Sequence, residues 1–475
     1  MAHNGAYDAV VVGAGPNGLS AAVELARNGR SVCVLEAEDQ IGGGARSGEL
    51  TLPGFVHDMG SAIHPLGYAS PFFRSLPLEE HGLEWIHPPA PLAHPFDDGP
   101  AAILERSVDE TANALGPDAR AYRRLMRGVS SDVDRIIATL LGKPNLIRHP
   151  LSLSASALRA TRPARAVAEA LFEGERAKGL FAGNAAHSFL PMEERPSAMF
   201  GLVLGALGHA VGWPLPKGGS QKIADALASY LRSLGGEIYT GVRVRSLDDV
   251  PLSRTVLFDV TPRQLLDIAG EHFTPRYSKA LGRYRYGPGV FKMDFALDDS
   301  IPWRDEACLR AGTVHLGGTL QEISVGEAAV SRGEHQERPW VLLAQQSLFD
   351  ETRAPDGKHT VWAYCHVPNG STFDMTHRIE AQIERFAPGF RERILAKNTM
   401  GPADLESWNA NLVGGDITGG LMNLRQLIAR PTARANPYST SAPGLYLCSS
   451  STPPGGAVHG LCGFMAARSA LRYLG

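Results

Sequence analysis

Gly13, Gly15 and Gly18 stand in the order Gly-x-Gly-x-x-Gly between an apolar run, residues 9–12, and a stretch in which Leu19, Ala22, Val23 and Ala26 recur at helical spacing. In that context each glycine has a task. The first permits a tight turn, the second lets the backbone approach a pyrophosphate, and the third lets the helix pack closely, while the helix N-terminus offers unpaired N–H groups to the anion. Asn28-Gly29 supplies the helix stop, residues 31–35 read as a second strand, and Glu36 follows, eighteen residues past Gly18. A carboxylate there accepts hydrogen bonds from a ribose diol. Pro16, Asn17 and Ala37 fall inside the same unit, which predicts a dinucleotide-binding loop.

Other residues could do chemistry beside such a ligand. Lys292 interrupts the alternating run Val290-Phe291-Lys292-Met293-Asp294-Phe295, and Trp362, Tyr364 and His366 share one face of Trp362-Ala363-Tyr364-Cys365-His366. The lysine either snorkels to solvent or acts at a reacting centre. The aromatic face either lines a substrate cavity or forms a core-facing layer. His459, just ahead of a closing helix, either bonds a neighbouring backbone carbonyl or serves as donor, acid or base. His64 presents the same pair of readings. Cys462, at the start of that helix, is either a thiol of lowered pKa or a small buried hydrophobe. The five cysteines are scattered with no CxxC pair, which argues against a disulfide framework, a dithiol redox centre and a zinc site, so no metal is expected.

NAD and FAD share the glycine fingerprint, and the blocks that follow decide between them. After Glu36 come Asp39-Gln40-Ile41-Gly42-Gly43-Gly44-Ala45-Arg46-Ser47 and then His57-Asp58-Met59-Gly60-Ser61-Ala62. This run resembles the segment after the second strand in FAD-dependent amine oxidases and phytoene desaturases, where backbone and an arginine reach the FAD phosphates. Gly44 replaces the arginine that usually follows the glycine pair, and Arg46 comes two residues later. The block from Pro216-Lys217-Gly218-Gly219 to Val242-Arg243-Val244 resembles the second FAD-contacting segment, with Val244 matching the valine whose backbone pairs with adenine. Phe258-Asp259-Val260-Thr261-Pro262 resembles the strand-to-turn that returns toward the dinucleotide. Residues 444–460, with Ser450, Gly456 and Val458, and Leu461 after them, resemble the closing segment that brings N–H groups to the flavin's pyrimidine edge. There Ser449-Ser450 replaces the usual Gly-Asp pair. Lys292 is similar in placement to the lysine that holds a water at the flavin in monoamine and polyamine oxidases. The likeness covers nearly the whole chain and points to the phytoene desaturase-like branch of the FAD-dependent oxidoreductases. It is closest to the pyridine nucleotide-disulfide oxidoreductase domain-containing protein 2 group and its bacterial relatives, which Asp350-x-x-Arg353-Ala354-Pro355, Tyr364-Cys365-His366-Val367-Pro368 and Ala387-Pro388-Gly389-Phe390 all fit.

The elements that must position these residues follow from the same blocks. The resemblance implies an α/β fold: a Rossmann-like FAD-binding domain of the glutathione reductase/amine oxidase type, interleaved with an α+β substrate domain that has a mixed sheet and a helical cap. The expected partition gives the FAD domain residues 1–75, 205–262 and 410–475. The substrate domain takes 76–204, a helical segment, and 263–409, a sheet segment. Within them, helices are expected over 103–114, 164–180, 221–234 and 460–473, and strands over 237–244, 286–297 and 340–367. Gly205-x-x-Gly208-x-x-x-Gly212 reads as close helix packing and not as a second dinucleotide loop.

Composition narrows the partners. The 475 residues are 44% hydrophobic and 20% charged, which suits a folded soluble protein. A net charge of -3 offers no field for nucleic-acid phosphates. The longest apolar run, around residues 198–207, is about half of what spans a bilayer. The chain runs almost directly into its first strand without a basic leader, so a cytoplasmic location is expected. Arg148, Arg159, Arg162 and Arg165 lie among apolar residues, as either a solvated basic face or a site of peripheral membrane contact. No feature speaks to self-association. The function expected is hydride transfer between FAD and a small apolar substrate, polyene or lipid-like, with dioxygen or a quinone as acceptor. The alternatives are a flavin-dependent amine or amino-acid oxidase, and an FAD-bearing binding protein with little turnover.

Overall fold

The computed structural model describes residues 6–131, 133 and 155–475. Two sheets carry the architecture. The first has five strands in the order Leu445–Leu447, Ser253–Phe258, Tyr7–Val12, Val32–Leu35, Glu237–Tyr239, and each adjacent pair is parallel. A parallel sheet needs crossovers that cover its faces, so its strands are continuous apolar runs. Ala9, Val10, Val11 and Val34 are accordingly sealed from solvent. The first crossover helix, Pro16–Arg27, packs against Gln221–Ser233 and the final helix, Leu461–Leu474. A Cβ at Gly463 would lie 1.8 Å from the Asn17 carbonyl oxygen, so only glycine lets the first and last helices meet at this spacing.

The second sheet has seven strands in the order Ile394–Met400, Gly289–Leu297, His359–Val367, Val341–Ala344, Ala311–Leu316, Ala90–His94, Ala102–Leu104. Its pairs are antiparallel apart from Ala311–Leu316 with Ala90–His94. Period-2 alternation assigns the faces. Phe291, Met293, Phe295, Val361 and Ala363 join Phe386 and Phe390 in one core. Val290, Lys292, Leu342, Trp362 and Tyr364 face a cavity on the other side. Helices Ala119–Ser131, Ala164–Leu171, Glu175–Ala186 and Ser197–Ala210 pack together as a cap over that side.

Several expected elements differ. Residues 102–104 form a strand paired with 92–94, and the helix begins only at Val108, capped by Ser107, whose side chain accepts from the Glu110 N–H. The expected 164–180 helix breaks at Phe172-Glu173-Gly174, where the Asp118 carboxylate accepts both the Glu173 and the Gly174 N–H at 2.8 Å. The segment read as helical therefore contributes two strands to the second sheet. Strand Glu237–Tyr239 is shorter than expected because Gly241 turns the chain at φ +69. The Gly205 and Gly208 positions do pack closely: a Cβ at Gly208 would lie 2.4 Å from Leu104 Cδ2. No helix among the described residues is long and apolar enough to cross a membrane. Arg148 lies outside the described residues; Arg162 is exposed, and Arg165 is tied to Glu169 and Glu193.

Candidate active site

A cavity of about 500 Å³ runs from the first sheet's carboxyl edge to the face of the second sheet. At one end, backbone meets backbone. Gly13 turns the chain at φ +103, and a Cβ on Gly18 would sit 2.0 Å from the Gly13 carbonyl oxygen. Gly15 approaches Gly43 so closely that a Cβ on Gly43, itself at φ +51, would lie 3.0 Å from the Gly15 Cα. Pro16 starts the helix at its first position, where a missing N–H is harmless. The result is a cradle of bare backbone at a helix N-terminus, the shape and polarity that a pyrophosphate requires.

The acid of the motif is fixed in place. Glu36 Oε2 accepts the Ala14 N–H at 2.7 Å and Oε1 the Glu38 N–H at 3.0 Å. Its backbone is held by Tyr239 and Val242, which brings Val242, Arg243 and Val244 to the same end of the cavity. Arg46 is buried beneath the cradle and is no surface arginine: its Nε donates to the Gly43 carbonyl, its Nη2 to that of Trp408 at 2.7 Å, and its guanidinium lies 4.5 Å over the Trp408 ring. Asp259, placed by the end of strand Ser253–Phe258, accepts the Gly18 N–H at 2.9 Å. Burial raises its carboxyl to about 7, with the Gly18 bond offsetting part of the rise.

Lys292 is buried at the cavity wall and ion-paired with Asp294, two residues along the same strand. Burial pushes the Lys292 ammonium down and the Asp294 carboxyl up, and each partner opposes the other's shift. Behind the pair lies a second buried pair. Arg353 binds Asp58, which also accepts the Ser220 N–H at 2.8 Å and the Ser47 hydroxyl at 2.7 Å. Burial alone would raise the Asp58 carboxyl, but the Arg353 charge and these bonds hold it below the usual carboxylate range. Perturbed groups cluster at functional sites, as buried ion-pair networks also do in a structural role, and of these four Lys292 alone lines the cavity.

Of the residues singled out by sequence, Gly13, Gly15, Pro16, Asn17, Glu36, Ala37, Gly43, Gly44, Arg46, Gly60, Ser61, Ala62, Val244, Ser450, Gly456, Val458, Lys292, Trp362, Tyr364 and His64 line this cavity. Others lie behind it. Gly18 packs beneath the loop, Ser47 serves Asp58, and Thr261 caps helix Pro262–Ala269, with Pro262 as its first residue. His459 is buried with Nδ1 accepting the Leu461 N–H at 3.1 Å. That bond takes up the N–H that Leu461 was expected to aim at the flavin, and neither residue lines the cavity. His366 is clamped by Glu327 at 2.8 Å and covered by the Phe189 ring at 3.9 Å, so it does not share the cavity with Trp362 and Tyr364. The Cys462 thiol is raised to about 11 by burial, the opposite of the lowered pKa considered. All five cysteines are free and buried. Sequence reasoning missed His187, Thr313, Trp408 and the Asp58–Arg353 pair; the last two residues stood in quoted motifs, with no local signal to join them.

The comparisons agree with this geometry. Residues 17–364 match the model of the flavin containing amine oxidoreductase family. The pyridine nucleotide-disulfide oxidoreductase domain-containing protein 2 of Rattus norvegicus is 27% identical, over 98% of this chain and 94% of its own. The phytoene dehydrogenase of Streptomyces griseus is 26% identical, over 82% and 77%. Among solved structures, an oxidoreductase from Methanosarcina mazei superposes with a TM-score of 0.65 at 17% identity, over 98% of this chain and 99% of its own. Wild-type putrescine oxidase bound to putrescine gives 0.63 at 18%, over 98% of each. Likeness at those identities shows the fold, and the family match shows the cofactor class: the chain belongs to the flavin containing amine oxidoreductase family and is an FAD-dependent oxidoreductase.

Proposed function

We propose that this enzyme moves hydride between FAD and an apolar substrate of polyene or lipid-like character, with dioxygen or a quinone as the acceptor. One observation carries the reading. Past Lys292 the cavity is walled by Phe189, Phe200, Leu204, Trp213, Leu342 and Tyr364, and its carboxylates, Glu36, Glu38 and Asp259, all sit at the dinucleotide end. A protonated amine would find a lysine and no counter-charge there, which disfavours the amine oxidase alternative. A neutral apolar molecule finds a matching wall.

The cradle fits FAD. Gly13, Gly15, Pro16 and Asn17 would hold its pyrophosphate, Glu36 its ribose, Val242 and Val244 its adenine, and Gly456 to Val458 its ring end. Bound FAD supplies the hydride chemistry. The protein's share is to exclude water with its aromatic wall and to keep a proton at Lys292 Nζ, fixed in direction by Asp294. The division into an FAD domain and a substrate domain at 75, 204, 262 and 409 belongs to the same reading. The ion pairs of Arg165 favour a solvated basic face over membrane docking.

Purification without added cofactor, an absorbance scan, and anaerobic titration test the proposal. Bleaching of the flavin by apolar donors from a lipid extract is the expected result. Steady hydrogen peroxide production on an amine panel would assign the chain to amine oxidation instead. Flavin that no donor bleaches would mark a binding protein with little turnover.

A further inference from the structure

The far end of the cavity is built around histidines. Lys292, Tyr364, Leu342 and His315 are successive register partners across neighbouring strands of the second sheet. His315 therefore stands three inter-strand steps, about 14 Å, from Lys292. His94 follows on the next strand, one residue beyond the Ala93–Val314 pair. His187, at the end of helix Glu175–Ala186, reaches over this row and places its Nε2 3.0 Å from His315 Nε2. Trp213 and Trp340 flank its ring, with centroids at 5.8 and 5.5 Å. The helix turn before it is bare: a Cβ at Gly183 would come within 2.9 Å of the Nδ1 atoms of both His315 and His94.

Of these three rings, His187 is the one that lines the cavity. His94 uses its Nε2 on the Gly318 carbonyl at 2.7 Å, and His187 uses its own on His315. Nδ1 of His187 is then the polar atom that a ligand meets. Elsewhere in the lining, Thr313, on the His315 strand, and Trp362, two strands away in the row of Asp294, each bury a polar atom without a hydrogen-bond partner, Oγ1 and Nε1. Native proteins leave few such atoms, and a ligand is one way to satisfy them.

We propose that His187, backed by His315, recognises a neutral hydroxyl or carbonyl at one end of a substrate whose other end reaches Lys292, an apolar molecule about 14 Å long with one polar head. This rests on the apolar-substrate reading above and names what that reading leaves open. Burial pushes His187 down to about 3, with His366 adding to the shift, and holds His315 well below the ordinary histidine range. The pair is therefore uncharged at neutral pH and offers a carboxylate nothing to pair with.

The test uses three probes of matched length, dodecanol, dodecane and dodecanoate, delivered from cyclodextrin to the FAD-loaded full chain and followed by quenching of tryptophan fluorescence. Dodecanol should bind about tenfold more tightly than dodecane, the worth of one well-placed hydrogen bond, and more tightly than dodecanoate. In His187→Phe that advantage should vanish while dodecane affinity stays within about twofold of the parent. His187→Gln, which keeps a hydrogen-bonding group, should retain part of the advantage. His187→Leu repeats the test if the phenylalanine variant no longer binds dodecane. Equal binding of dodecanol and dodecane by the native chain, or an advantage that survives in His187→Phe or His187→Leu, overturns the proposal while leaving the apolar cavity intact. A chain that binds none of the three probes overturns the apolar-substrate reading itself, and this inference with it.

Discussion

Arg353 and Asp58 form an ion pair from which water is wholly excluded, across 295 residues of sequence. The Arg353 Nε donates to the Val56 carbonyl at 3.0 Å, and Gln346 reaches the same Asp58 oxygen at 3.2 Å. The pair locks the 56–58 strand, which leads into the Gly60-Ser61-Ala62 wall of the cavity, against the second sheet. Replacing Arg353 by Met leaves a buried carboxylate without its counter-charge, so it should lower stability by about 3–5 kcal/mol. Asp58→Asn in the same chain should recover part of that loss. Chemical denaturation of both variants measures it, and additive losses would show that the pair is not coupled.

Asp294 opposes the effect of burial on Lys292. In Asp294→Asn the lysine loses its proton more readily, so the alkaline limb of flavin turnover should move to lower pH. Lys292→Met should keep FAD bound and slow turnover by about a hundredfold. Stopped-flow reduction and reoxidation across pH check both. Unchanged rates in Lys292→Met would remove the lysine from the mechanism.

Asp259 gives the cofactor-free chain a pH dependence of definite sign. A carboxyl with a higher pKa in the folded chain than in the unfolded one costs nothing below about pH 4, where both forms are protonated. The cost grows as pH rises and is complete above the folded value of about 7. Asp259→Asn keeps an oxygen for the Gly18 N–H and removes the charge. It should match the parent near pH 4 and exceed it near pH 8 by a few kcal/mol, on the order of 4 at most. Urea titrations at the two pH values decide, and equal stabilities at both would refute the assignment.

Gly18→Ala forces a methyl group into the Gly13 carbonyl. The loop must open to admit it, at about 1–3 kcal/mol, and the pyrophosphate cradle opens with it. The expected product is a folded, colourless protein whose melting temperature no longer rises on adding FAD. A yellow variant that melts like the parent would mean that the loop relaxes without loss.

What was legible in the sequence was what is local. The glycine loop, its helix and Glu36 lie within about thirty residues, and the physics of a tight turn beside an anion leaves few residue choices there. The alternation around Lys292 and Trp362 likewise showed which side chains share a face. Contacts that depend on tertiary packing were not legible. Residues 90–94 and 102–104 are strands because each completes the other's ladder, although their short runs beside prolines carry little strand signal. The closing segment suggests His459 and Leu461 as flavin neighbours, but the Leu461 N–H is spent on the His459 ring and neither residue lines the cavity. His187 stood among small residues, and only the fold brings it to His315, 128 residues away.

The contact between Gly463 and the Asn17 carbonyl has a consequence for biogenesis. The helix that carries the pyrophosphate loop is made long before the helix that clamps it, and before the strand at the edge of the first sheet, Leu445–Leu447. The nucleotide site therefore stays open on one side until helix Leu461–Leu474 has been made and has packed onto the loop helix.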